Sequence, residues 1–130
     1  MKFIKEFIQY DVSETILLKI KLIFPYVLVR GKSLYASSIV DKLGNPIVRI
    51  DSKKPLKALF IKFGDNSIEV KSLVNSENES GLSSKIMDVF LNVLPDGYKI
   101  IIDQDVSNGF WDYMIRKYNQ FEWIKTWFIL

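Results

Sequence analysis

The chain has 130 residues, 48% of them hydrophobic and 25% charged, with a net charge of +3 and neither cysteine nor histidine. This is enough chain for one domain with a proper core. It excludes disulfides, thiolate nucleophiles, cysteine metal sites and every histidine base or ligand, so any catalysis must rest on carboxylates, tyrosines, lysines, hydroxyls or backbone groups.

Asp11-Val12-Ser13-Glu14 has the spacing of a capping box and predicts a helix over Ser13 to Phe24, stopped by Pro25. Against it, Leu18-Lys19-Ile20-Lys21-Leu22 alternates as a strand does. Strand signals follow. Tyr26 to Arg30 is β-rich, Gly31-Lys32 reads as a turn, and Leu34 to Val40 and Pro46 to Ile50 flank a hairpin loop at Asp41 to Asn45. Lys57 to Phe63 and Ser67 to Val74 flank a second turn at Gly64-Asp65-Asn66. The expected result is an antiparallel meander of four or five strands.

Beyond Val74 the period changes. Leu82, Ile86, Val89, Phe90, Val93 and Leu94 make a helical stripe that Pro95-Asp96-Gly97 ends. Ile100-Ile101-Ile102 is a short β-branched run of the kind found in a strand covered on both faces. Asp103 to Gly109 reads as a loop. It begins like a calcium loop, but Asn108 and Met114 stand where glycine and glutamate are needed. Phe110, Trp111, Met114, Ile115 and Tyr118 mark a second helix, capped by Ser107 or Asn108, and Phe121 to Ile129 closes the chain as an aromatic strand. The strands before Gly81 and around Ile101 should be parallel neighbours joined by the first of these two helices. The fold class is α/β (α+β): a single domain with a mixed, mostly antiparallel sheet flanked by helices.

A glycine that opens a helix lets a phosphate approach unpaired amides at the positive end of the helix dipole, and Gly81 to Lys85 meets that description. The wider pattern is similar to the GNAT acetyltransferase superfamily. Ile68-Glu69 and Leu73 stand at that family's strand spacing, Asn78 at the Gln/Arg position of its cofactor loop, Gly81 at the loop glycine and Ser83 at the Gly/Ala position. Phe110-Trp111 stands where the family often has Phe-Tyr. The resemblance covers Lys57 to Trp123. It divides the chain into a variable part, residues 1–56, and a coenzyme A-binding-like part, residues 57–130.

What the resemblance implies is acetyl transfer from acetyl-CoA to an amine of a small molecule or a protein. Glu69 would be the base, Tyr113 or Tyr118 the acid, and a backbone amide near Leu73 or Val74 would hold the thioester oxygen. Asn78, Gly81, Leu82, Ser83, Ser84 and Lys85 would hold the pyrophosphate, with Asn108 and Phe110 completing the cofactor site. No metal is implied. Structural readings stand beside these: Glu69 as a surface carboxylate paired with Lys71 or Lys62, and Tyr113 and Tyr118 as half-buried aromatics.

The sequence departs from the family at the loop. Asn78 lies between Glu77 and Glu79, whose carboxylates repel a pyrophosphate, and Trp111 replaces the tyrosine that donates to the thiolate. A second expectation is therefore a GNAT-like binding or regulatory protein without cofactor. A third, more remote, is association with nucleic acid. Residues 1–65 hold 12 Lys and Arg against 6 Asp and Glu, a net +6, whereas residues 66–130 hold 6 against 9, a net −3. Dispersed strand-edge lysines account for that asymmetry more simply, and nucleic acid is not the expected partner. Trp111, Trp123 and Trp127 suggest either a stacking platform or core and interface packing. The apolar last strand suggests a homodimer. The N-terminal residues carry charge where a signal peptide would be apolar, and Leu22 to Val29 is too short to span a bilayer. The expectation is a cytoplasmic protein without a membrane partner.

Overall fold

A computed structural model describes residues 10–49, 55–76, 78–103 and 109–126. Helix α1 (Tyr10–Ile23) leads into a six-stranded sheet. Strands β1 (Tyr26–Arg30), β2 (Ser33–Ser37), β3 (Lys57–Gly64) and β4 (Ser67–Asn75) form an antiparallel meander. Helix α2 (Leu82–Leu91) then carries the chain to β5 (Lys99–Ile102), and helix α3 (Phe110–Lys117) to β6 (Glu122–Lys125). Strands β4, β5 and β6 are mutually parallel, and spatial order follows chain order from β1 to β6. The mixed, mostly antiparallel α+β sheet expected from the sequence is present.

The first helix begins earlier than expected, so Asp11 to Glu14 lies within its first turn and does not mark its start. Ser13, Ile16, Leu17, Ile20 and Phe24 are buried at helical spacing. The strand-like alternation nearby carries no weight: Ile20 is fully buried while Leu18 and Leu22, which would share its face in a strand, are exposed.

The second hairpin arm is also a correction. The loop at Asp41 to Asn45 forms, held by the Asp41 carboxylate, which accepts from the amides of Leu43 and Asn45, each at 2.9 Å. However, β2 ends at Ser37, and among the described residues Pro46 to Arg49 supplies one isolated bridge, Val40 to Pro46, while Ile50 lies outside them. Pro46 has no N–H for a ladder. Ile39 and Val48 instead pack on Leu56, Ala58 and Val74, a small second cluster. Strand β2 pairs directly with β3 across this excursion.

One main core joins the three described helices to one face of the sheet. Leu34 and Ala36 of β2, Leu59, Ile61 and Phe63 of β3, Ile68 and Val70 of β4, and Ile100 and Ile102 of β5 point into it. Because β4, β5 and β6 are parallel and follow one another in one direction, two crossovers of the same hand put α2 and α3 on that same side, where both contribute to the core. The other face is covered only in part among the described residues, by the second cluster at one end. Ile101 is accordingly half-buried, not fully covered as its apolar run suggested. Trp111 is 4% exposed in the core and Trp123 packs against it with ring centroids 6.3 Å apart, so neither forms a surface platform. Trp127 and the rest of the last strand, residues 127–130, lie outside the described residues, and β6 is an edge strand. No described helix is long and apolar enough to cross a membrane.

Phe90, fully buried on α2, is among the largest side chains in this core. Phe90→Ala should destabilise the protein by about 3–5 kcal/mol in urea unfolding, through lost burial and the cavity left behind.

Candidate functional site at the fork of β4 and β5

Pairing of β4 with β5 ends at Val70 opposite Ile102, where the Asp103 amide donates to Val70 O at 3.3 Å. Strand β4 runs on to Asn75 and retains only β3 as a ladder partner among the described strands. The two strands part at a β-bulge: Ile61 pairs with Val70 and Phe60 with Ser72, leaving Lys71 as the extra residue. In open sheets, ligands bind beyond the carboxyl ends of parallel strands, and this fork lies at that end of β4 and β5.

Side chains lace the fork together. The Lys71 ammonium lies 2.9 Å from Asp103 Oδ2 and 3.1 Å from Glu69 Oε2. Thr126, just past β6, sits with its hydroxyl 3.3 Å from Asp103 Oδ1, and its amide donates to Ile102 O at 2.8 Å. Lys71, Asp103 and Thr126 thus tie the ends of all three parallel strands. The hydrogen bonds to Asp103 and then Glu69 hold the Lys71 pKa above the ordinary lysine value, so the group stays cationic.

The loop between β4 and α2 is closed by Asn75. Its side-chain amide donates to Glu79 O at 2.8 Å, and its Oδ1 accepts from the Glu79 amide at 3.0 Å. The Asn78 amide donates to Asn75 O, and Asn78 takes a left-handed φ of 53°. Glu79 turns its carboxylate onto Lys57, 2.6 Å away, which partly offsets the repulsion expected from it; Glu77 lies outside the described residues. Gly81 caps α2 with φ 77°, no side chain bonds that end of the helix, and its first turn carries no acidic residue. A Cβ on Gly81 would meet no atom within 4 Å, so the space above the turn is open.

Among the other expected site residues, Ser83 and Ser84 are half-buried in the first turn of α2, and Leu82 points into the core, leaving only its backbone for a ligand. Leu73 packs on the helix-side core, whereas Val74 turns to the opposite face and joins the second cluster. Phe110 is half-buried, edge-on to Trp111 at 4.9 Å. Asn108 lies outside the described residues, and Gly109, with φ 89°, stands at the N-cap of α3 in place of the expected Ser107 or Asn108.

The two residues expected to do the chemistry are not brought together. Glu69, between the core residues Ile68 and Val70, projects from the open face and is held by Lys71. Tyr113 is 47% exposed on α3, which packs on the opposite face through Trp111 and Met114. Tyr118 is buried and donates its hydroxyl proton to Asp88, and burial followed by that bond pushes its pKa far above the ordinary tyrosine value. Its proton is thus committed to Asp88.

Nothing in the sequence marks Asn75 or Thr126 as site residues, Asp103 stands out only as the start of a calcium-like loop, and Lys71 only as a partner for Glu69. One signal was available: the apolar spacing in β4 goes from two residues, Ile68 to Val70, to three, Val70 to Leu73, which is how a bulge reads in sequence. No group of three or more His, Cys, Asp or Glu among the described residues is arranged to hold a metal.

Two tests follow from this geometry. Asn75→Ala removes both clamps on Glu79 and should cost about 1–2 kcal/mol, with faster hydrogen exchange at the Glu79 amide. For Lys71, a folded pKa above the usual 10.5 means its stabilisation is full below that pH and is lost as the pH rises through the folded value. The stability gap between wild type and Lys71→Met, about 1 kcal/mol or less for a part-exposed pair, should therefore be flat through neutral pH and shrink above 10.5 in chemical denaturation.

No protein-family model, curated protein or solved structure significantly matches this chain.

Proposed function

We propose that this chain is a GNAT-like domain that binds acetyl-CoA at the fork of β4 and β5. The observation that carries the reading is the combination of a bulged β4 outrunning β5 with an uncapped helix opened by a left-handed glycine. The amides of Ser83 and Ser84 in the first turn of α2 would face the pyrophosphate, where the helix dipole favours negative charge, whereas the Lys85 amide already donates to Gly81 O at 3.0 Å. Gly81 leaves the approach open, and Asn75 holds the loop in place. The β5-facing edge of Lys71 to Asn75 offers backbone groups for the pantetheine amides, as an edge strand does. These features fit a linear, phosphate-tipped ligand.

Bound acetyl-CoA supplies an activated acyl group for attack by an amine. Glu69 is the carboxylate nearest the fork on β4 and takes the amine's proton, directly or through water. Backbone amides near Leu73 and Val74 face the oxygen on which charge develops. Tyr113, across the sheet, has no part in this reading.

The Lys71 ammonium supports a second reading, binding without transfer. It occupies Glu69 Oε2 at 3.1 Å and is itself fixed by Asp103, so the base is engaged before any amine arrives.

Calorimetric titration with acetyl-CoA at low salt tests the site, with micromolar affinity expected. Gly81→Glu should weaken binding about a hundredfold or more, by putting a carboxylate where the phosphates approach. Gly81→Asn, which tolerates left-handed backbone, should keep most of the stability and serves as the fold control. Unchanged affinity in Gly81→Glu, or no heat at millimolar ligand, defeats the reading. If ligand binds, acetyl-CoA consumption with a panel of amines separates transfer from binding alone. Transfer predicts turnover that Glu69→Gln abolishes.

A further inference from the structure

On the helix side of the molecule, away from the fork, α1 and α2 enclose a groove of about 290 Å³. Leu22 and Ile23 of α1 and Val89 of α2 give it an apolar lining. Leu22 is 81% exposed, and Leu18, one turn earlier on the same face of α1, is 66% exposed. These are the two most exposed large aliphatic side chains on any described helix. A pair of leucines one turn apart beside an apolar trough is the arrangement that receives the apolar face of another helix.

The charges around the trough select the partner. Lys19 and Lys85 line it from opposite helices, and neither makes an ion pair among the described residues. The acidic residue in the groove, Asp88, is already engaged by Lys117 at 3.3 Å and by the Tyr118 hydroxyl. The groove therefore offers two uncompensated cations over an apolar floor, with its carboxylate neutralised. From Lys85 to Asn92 the α2 wall runs about 10 Å, roughly two helical turns.

We propose that this groove is the docking site for an acidic amphipathic helix of a partner protein, with leucine-like side chains against Leu18, Leu22 and Val89 and carboxylates paired to Lys19 and Lys85. Other occupants match the charges less well. Residues 1–9 of this chain carry Lys2 and Lys5 against Glu6 alone, which opposes the lysines of the groove. A second copy in two-fold contact through this face would set the same lysines against each other. A membrane meets a convex surface more readily than a trough between two helices. The inference does not depend on the acetyl-CoA reading: that site uses the Ser83 and Ser84 backbone amides, whereas the Lys85 side chain lines the groove.

The test is titration of the full chain with a synthetic helical peptide of about four turns, carrying leucines along one face and glutamates on both flanks, followed by amide NMR. A dissociation constant on the order of 10 μM is expected, with shifts confined to α1 and α2. Leu22→Asp should weaken binding about tenfold or more. Lys19→Glu combined with Lys85→Glu should do the same for this peptide and create binding to its lysine-flanked counterpart. All three residues are exposed, so unchanged thermal melts confirm that the variants fold. Equal affinity for a scrambled peptide, variants that bind like wild type, or no binding at millimolar peptide would overturn the proposal. So would a dimer in sedimentation that Leu22→Asp dissolves, or retention on phosphatidylserine vesicles that Leu22→Asp abolishes, since these would assign the surface to a second copy or to lipid.

Discussion

Strand β4 must satisfy an antiparallel neighbour on one edge and a parallel one on the other, and the extra residue at Lys71 makes this compatible with the sequence. Side chains alternate strictly along a strand, so without the bulge Ser72 would follow Ile68 and Val70 into the core and Leu73 would face outward. With it, Leu73 joins the helix-side core and Val74 turns to Leu56 and Ala58. The same bulge lies where the pairing of β4 with β5 ends, at Val70 opposite Ile102, and a bulge there bends its strand. The core register, the fork and the placement of the loop before α2 all follow from this one insertion.

Coverage of one face only has a chemical consequence. Pairing across the open face sets Arg30 opposite Ser33, Ser33 opposite Lys62, and Lys62 opposite Glu69, with the Tyr35 and Phe60 rings stacked at 4.5 Å in the next row. Glu69 thus has a lysine across the strand and a second beside it, and it is Lys71 that pairs with it, at 3.1 Å. A carboxylate in that setting is first a structural group. Any catalytic use of it must compete with the bonds that fix the fork.

Much of this fold was legible because the apolar spacing and the turn residues agreed. The β3–β4 hairpin, the stripe from Leu82 to Leu91 and the parallel strand at Ile100 to Ile102 each had one consistent reading. The misreadings fall where local pattern and tertiary demand conflict. Pro46 to Ile50 has strand composition but lacks the amide a ladder needs at Pro46, and Ile39 and Val48 are used to cover one end of the sheet. Ile101 sits in an apolar run that cannot itself say how many faces are covered. At the candidate site, Gly81 and Glu69 could be picked out because glycine and carboxylate are chemically conspicuous in sequence. Asn75 and Thr126 could not, since their roles arise only from contacts with Glu79 and Asp103. Whether Glu69 and Tyr113 meet depends on which face each element presents, and that is a property of topology and not of spacing.

Ligand capture and group transfer would rest on separate parts of this fork. On the proposed reading the cradle would need Gly81, the clamp by Asn75 and the first amides of α2, none of which touches Lys71 among the contacts described. Transfer chemistry would need Glu69, and Glu69 is bound by the same ammonium that joins β4 to Asp103 and, through Thr126, to β6. Freeing the base would mean loosening the tie that shapes the cleft. A fork of this construction can keep its ligand geometry while its base is held elsewhere, and an amine that displaced Lys71 from Glu69 would have to match both its charge and its reach.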